Sequence, residues 1–374
     1  MAHPEDSRYQ FRPPPSSMRF AGIIGSVLLP LSLGSLPADE GRNASPYAAQ
    51  VVAQLPAFRP AAAPAGVIRL WGHGSFSRPF MRLLVARWAR GFAHFHPDIT
   101  IREETYGTSS AIPALALGAG DLAILGEEIL PEAVDTFQRV KSYEPFGIDL
   151  ATGSVDVRNF DYAQMFFVHQ DNPLAQLTLT QLDAVFGAEH RRGAPRNFRT
   201  WGDLGLTGEW ADKPITLYGW KTDDSFGFYL EQTLLAGSHR WNDALKEFGH
   251  IPQPDGSIYD HGQQALDALA HDRYGLAVSN IRYAGPAVKA LAVAERAGSP
   301  YVAVTAQTLI DQTYPLTRLI PAYLDRKPGE PVEPKVKEFL RYILSREGQQ
   351  DILDDGRYLP LSPAAIAAQL KKLE

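Results

Sequence analysis

The sequence predicts an α/β chain of two domains. Runs rich in β-formers alternate with helical apolar spacing from residue 67 onward, and the order strand, polar turn, helix recurs. A length of 374 residues is enough for two cores. Residues 67–71 read as a strand, and Phe80, Leu83, Leu84, Trp88 and Phe92 then recur at helical spacing. Ile99, Ile101 and Glu103 alternate as a strand should. The turn YGTSS (106–110) leads into a short helix that Gly118 can end, and residues 122–125 read as a buried strand. This βαβαβ order implies a largely parallel sheet with ligand loops at the carboxyl ends of its strands.

A second unit begins near Gln164, with strand-like residues 165–168 and a capping box, Thr178 to Gln181, ahead of Leu182, Val185 and Phe186. Residues 215–220 form another strand that enters a polar turn and a helix over 228–235. Two short helical patterns close the chain, over 336–344 and 346–354, with Gly356 as a stop. No repeat of fixed period is visible.

Composition narrows the function. A net charge of −6 argues against a nucleic-acid partner, since phosphate backbones are met by basic faces. The absence of cysteine excludes a disulfide framework and thiolate metal sites. Met18-Arg19 followed by the apolar, small-residue run 20–36 has the pattern of a secretory signal, so residues 1–38 are expected to direct export, with Met18 a candidate start. A retained N-terminal anchor is the competing reading of this run. The Pro/Ala-rich residues 39–65 show no sustained periodicity and are expected to be a linker.

Three turns share one design: WGHGSFS (71–77), YGTSS (106–110) and WKTDDSFG (220–227). Each carries glycine and hydroxyls between a strand and a helix. Helix starts leave backbone N–H groups without intrahelical partners and carry partial positive charge. Three convergent turns of this kind suit an oxyanion, wrapped in N–H groups and hydroxyls. If two come from one domain and the third from the other, the ligand lies in the cleft between them.

In these loops the chain resembles the type II periplasmic solute-binding proteins, specifically the phosphate-binding subunits of phosphate ABC transporters. The resemblance spans about residues 66–362 and extends to DNPLAQLTLTQL (171–182), TWGDL (200–204), YPLTR (314–318), SREGQ (345–349) and DGRYLP (355–360). It implies two α/β domains joined by a hinge of two crossings: domain I from 66–162 and 284–374, domain II from 163–283. It further implies no catalysis and no cofactor, a ligand cleft between the domains, a monomer, and delivery of phosphate or a similar oxyanion to membrane permease subunits.

Carried over residue by residue, the resemblance assigns the ligand to Ser75 and the Phe76 N–H, to Gly107, Thr108 and Ser109, and to Lys221, Asp223, Ser225, Phe226 and Gly227. Asp223 matches an acidic residue that steadies the base. The chain departs from the family in three places. Lys221 stands where an arginine is common, exchanging a bidentate fork for a point charge. Phe226 and Gly227 replace a glycine and a threonine. Gly126 stands where the family has an acidic group that accepts the ligand's proton; its neighbour Glu127 either substitutes or repels a dianion.

Two other classes compete. A hydrolase could be imagined from Ser75 with His73, Ser225 with Asp223 and Asp224, or His261 after Asp260, although no GxSxG elbow is present. An exported binding or sensing module of the same fold, without a transport role, is the other. His94 and His96 lack ligand partners at recognisable spacing and are expected to be a surface or strand-edge pair, so no metal site is assigned.

Overall fold

The structure, a computed structural model, describes residues 45–74, 80–155, 163–223 and 225–374, apart from the side chains of Phe80 and Ser225. The signal region 1–38 lies outside them. The stretch expected to be a linker instead holds a helix, α1 (Pro46–Ala53), with Pro46 in its first turn. Ala48 and Val51 join one hydrophobic core, and Leu55 and Phe58 join another. Alanine and proline mask this spacing in the sequence. Residues 45–58 thus form an N-terminal strap, whose end is fastened where Phe58 N–H donates to the Glu347 carboxylate at 2.7 Å and Arg346 N–H to the Pro56 carbonyl at 3.0 Å.

The first lobe follows as β1 (Gly66–Gly72), α2 (Phe80–Ala93), β2 (Ile99–Glu104), α3 (Thr108–Ala116), β3 (Leu122–Ile124), α4 (Pro131–Lys141) and β4 (Phe146–Thr152). The central strand β3 is buried throughout, whereas β1 is buried at alternate positions and the edge strand β2 only at Ile99. The chain then enters the second lobe through β5 (Met165–His169), β6 (Gln176–Thr178) and α5 (Leu179–Phe186). The Thr178 hydroxyl and the Gln181 side chain form the expected capping box of α5. After β7 (Thr216–Trp220) come α6 (Ser225–Thr233), β8 (Leu245–Phe248), the hairpin β9 (Ile251–Pro252) and β10 (Ile258–Tyr259), and α7 (His261–Ala270). Next are β11 (Gly275–Ser279), β12 (Val288–Ala290), β13 (Ala292–Ala294), which pairs with β6, and α8 (Ala306–Ile310). The return strand β14 (Leu319–Leu324) and the helices α9 (Pro334–Ile343), α10 (Arg346–Asp355) and α11 (Pro363–Lys372) complete the chain. Gly356 ends α10 at φ 76°.

The two main sheets have one topology. Their orders are β2-β1-β3-β14-β4 and β8-β7-β11-β5-β12. In each, three parallel strands come first, and the fourth is antiparallel to both of its neighbours. The βαβαβ strands β1, β2 and β3 are parallel, as the sequence reading expected, while β14, antiparallel to both β3 and β4, makes the completed sheet mixed. The antiparallel strand is in each case the one that arrives from the other lobe. β12 belongs to the second sheet and β13 pairs within that lobe, so the strands part from the expected boundary at 283/284. The return crossing lies further on, where Thr317 bridges Ala163 and the Tyr314 hydroxyl donates to the Gln164 carbonyl at 2.6 Å.

Candidate functional site

In doubly wound sheets, loops at the carboxyl ends of parallel strands meet beside the point where strand order reverses. In the first lobe that edge holds Gly72 and His73 after β1, Gly107 to Ser109 after β2, and Gly126 and Glu127 after β3. Backbone proximity dictates the glycines. A Cβ on Gly72 would lie 2.0 Å from the Ile124 carbonyl oxygen. Gly107 sits at φ 116°, which L side chains rarely adopt, and no side chain caps α3 behind it. The Ser110 N–H turns back to the Gly107 carbonyl at 3.1 Å, while the N–H groups of Thr108 and Ser109 have no partner within the helix. Thr108 and Ser109, the first two residues of α3, share this edge as expected.

The Gly126 departure has a steric cause. A Cβ there would fall 2.3–2.4 Å from Cγ, Nδ1 and Cε1 of His73. The imidazole occupies the space into which an acidic side chain would project. Its Nδ1 lies 3.1 Å from the Thr108 hydroxyl, which in turn accepts from the Gly126 N–H at 3.5 Å. If the Thr108 hydroxyl donates onward, Nδ1 is the acceptor and Nε2 carries the proton. His73 is therefore absent from the ligand assignment made from sequence, which offered it only as a partner for Ser75 in the hydrolase reading.

Glu127 is half-buried and lines a cavity of about 260 Å³ with Thr108 and Ser109. Its walls, including Ile112, Leu125 and Ile129, are mainly apolar, and Glu128 and Glu132 also border it. None of Lys221, Asp223, Phe226 and Gly227 lines it. This groove between α3 and α4 is thus not the polar enclosure an oxyanion needs.

The second lobe repeats the edge with different chemistry. Lys221 and Asp223 lie exposed on the turn after β7. The Lys221 stem passes over Gly249, where a Cβ would meet Cε at 3.1 Å. Gly227 is buried against that turn, and a Cβ would lie 2.4 Å from the Thr222 carbonyl oxygen, which explains the lost threonine. Phe226 packs beside Trp220 and His261, both with centroids 5.8 Å away. His250, Asp260 and His261 stand where Gly107 to Ser109 stand in the first lobe, between the second and third strands of the topology.

Ser75 and Phe76 lie outside the described residues, as do Asp224 and the side chain of Ser225, the first residue of α6. His96 corrects its expectation. It is buried 4.7 Å from the Phe92 ring, with Nε2 3.3 Å from Glu338. Aromatic packing from the N-terminal strap, through Phe58 at 5.9 Å, covers it, while His94 stays exposed.

Between the lobes lies Arg318, fully buried, bonded to both oxygens of Glu128 and stacked on Phe226 and Tyr229. Burial pushes the Tyr229 phenol up, while Arg318 pulls it the other way. The sequence offered Arg318 only as part of a family-like tail.

Two lobes of identical strand order, joined by paired crossings and each offering a polar strand edge, define a two-lobed solute-binding fold. The pattern of the PBP superfamily domain matches residues 61–347, and the chain belongs to that superfamily. It is 29% identical over 333 residues to the phosphate-binding protein PstS of Pseudomonas aeruginosa, covering 89% of this chain and 94% of the relative. Among solved structures it is similar to PstS from Borrelia burgdorferi, with a TM-score of 0.53, 13% identity, and coverage of 79% of this chain and 99% of the other. A possible phosphate-binding protein from Planctomyces limnophilus aligns at a TM-score of 0.47 and 17% identity, covering 83% of this chain and 98% of that one.

Proposed function

We propose that the chain is an exported solute-binding protein that captures phosphate or a related small oxyanion between its lobes. It would pass the ligand to the permease subunits of an ABC transporter. The observation that carries this reading is the uncapped start of α3 at Gly107, Thr108 and Ser109, placed on the strand edge of a superfamily binding fold. Likeness to PstS over most of both chains supports phosphate as the first ligand to test. Ser75, the Phe76 N–H, Thr108, Ser109 and Ser225 would supply hydrogen bonds, and Lys221 would balance charge. Glu127, Asp223, Phe226 and Gly227 complete the proposed wall. Export through residues 1–38 and action as a monomer belong to the same reading. Among the described residues no helix is long and apolar enough to cross a membrane.

Binding by closure requires the ligand to favour the closed arrangement over the open one. Lys221→Ala should therefore weaken phosphate binding about tenfold or more, since a charge-assisted bond contributes roughly 1.5–3 kcal/mol. Ser109→Ala should weaken it a few-fold. Titration calorimetry of both variants tests the assignment, and unchanged affinity in both would place the pocket elsewhere.

A further inference from the structure

The geometry points to a divalent transition-metal site, of the zinc class, formed by His250, Asp260 and His261 on the strand edge of the second lobe. One ligand atom from each lies within 4.8 Å of the others. His250 Nδ1 is 3.5 Å from Asp260 Oδ2, and His261 Nε2 is 3.8 Å from Asp260 Oδ1. Both separations exceed the usual span of a hydrogen bond. They are somewhat longer than the ligand-to-ligand edge of a four-coordinate metal, about 3.3 Å for bonds of about 2.0–2.1 Å, so the groups need only close in slightly on an ion. Two imidazoles and one carboxylate form a donor set suited to zinc, copper, nickel or cobalt rather than calcium or magnesium.

The protein holds the carboxylate and both supporting loops in advance. Asp260 Oδ1 accepts from the Gly262 N–H at 2.9 Å, which fixes the carboxylate. Gln264 ties both supporting loops together, donating to the carbonyls of Gly249 at 2.7 Å and Tyr259 at 2.9 Å, the residues preceding His250 and Asp260. Such outer contacts orient metal ligands. Asp260 and His261 are buried at 3% and 1% exposure, whereas the His250 side chain is 27% exposed. That asymmetry makes His250 the more accessible side of the site. The imidazoles are stacked at 4.1 Å with planes 24° apart, so metal capture must swing one ring out of the stack. His261 also packs 5.1 Å from Trp220, which makes the indole a reporter of that swing.

The test uses the full chain, stripped with chelator and titrated with zinc chloride by calorimetry, then with cobalt chloride by visible absorption and tryptophan fluorescence. The expected result is one equivalent of metal, a cobalt d–d band of low-coordinate type and a fluorescence change. His250→Ala and His261→Gln should each weaken zinc at least about tenfold, the loss that outer-shell changes alone already produce. His94→Ala, on the exposed histidine of the other lobe, should leave it unchanged. His250 lies on a half-exposed loop, so its variant keeps the test decisive even if His261→Gln fails to fold. Absence of zinc binding, or equal affinity in wild type and His250→Ala, would overturn the site. Phosphate binding is measured separately without metal, so neither result decides the other.

Discussion

The guanidinium of Arg318 meets both carboxylate oxygens of Glu128, with Nε to Oε1 at 3.0 Å and Nη2 to Oε2 at 2.6 Å. Its other faces lie 4.9 Å from the Phe226 centroid and 4.7 Å from that of Tyr229. Glu128 follows the first lobe's β3 loop, and Phe226 belongs to α6 of the second. One buried cation thus touches the proposed binding turns of both lobes. Glu128 is 28% exposed, so removing the buried Arg318 costs mainly its charge-assisted bonds, about 1.5–3 kcal/mol. Arg318→Ala should accordingly lower stability by that order in chemical denaturation. Arg318→Lys, which loses the fork and the flat stacking surface, should fall between it and wild type. Equal midpoints for all three proteins would remove Arg318 from this role.

His73 and Gly126 should be energetically coupled. Gly126→Ala forces the imidazole from its place and breaks its contact with Thr108, costing about 1–3 kcal/mol as overpacking does. In a His73→Ala background the same change should cost much less, giving a coupling energy of roughly 0.5–3 kcal/mol. A strictly additive double-mutant cycle would contradict the packing described.

Asp355 gives the fold a pH dependence. Burial is the main cause that raises its carboxyl from 3.8 to about 6, with Arg357 and Arg87 pulling it back only in part. A raised folded-state value means that the native chain holds a proton the unfolded chain releases. Its stabilising effect is present below about 4 and is lost as pH rises toward 6. Asp355→Asn should therefore gain stability relative to wild type between pH 4 and 7, by on the order of 2–3 kcal/mol. Parallel thermal melts at pH 4 and pH 7.5 check this; a gap between the two proteins that does not widen with pH would contradict it.

The N-terminal strap should be part of the fold. Phe58→Ala removes a buried ring packed against Phe92, Phe95, His96 and Tyr342, and should cost about 3 kcal/mol or more. A denaturation midpoint equal to that of wild type would return residues 45–58 to the status of a linker.

The strands and caps were legible because they are local. The Thr178 box, the Gly356 stop and the alternation of β2 each follow from residues a few positions apart. The doubled topology was not legible, because it is a repeat of strand order without a repeat of sequence. For the site, Gly72 and Gly107 and the hydroxyls of Thr108 and Ser109 lie at or just past the ends of β1 and β2, where the sequence put its turns. The sequence could not show that His73 fills the space before Gly126, or that Arg318 reaches Glu128 across 190 positions. His250 and Asp260 are brought together by a hairpin of two-residue strands too short to carry a periodic signal.

The central claim is oxyanion capture between the lobes, and calorimetric titration of the ligand-stripped full chain tests it most directly. Phosphate, arsenate, sulfate and a simple phosphonate would each be titrated across a pH series. The account predicts phosphate binding at micromolar concentration or tighter, equivalent to about −8 kcal/mol or better. Silence toward all four anions would contradict it and mean that the fold serves a different ligand.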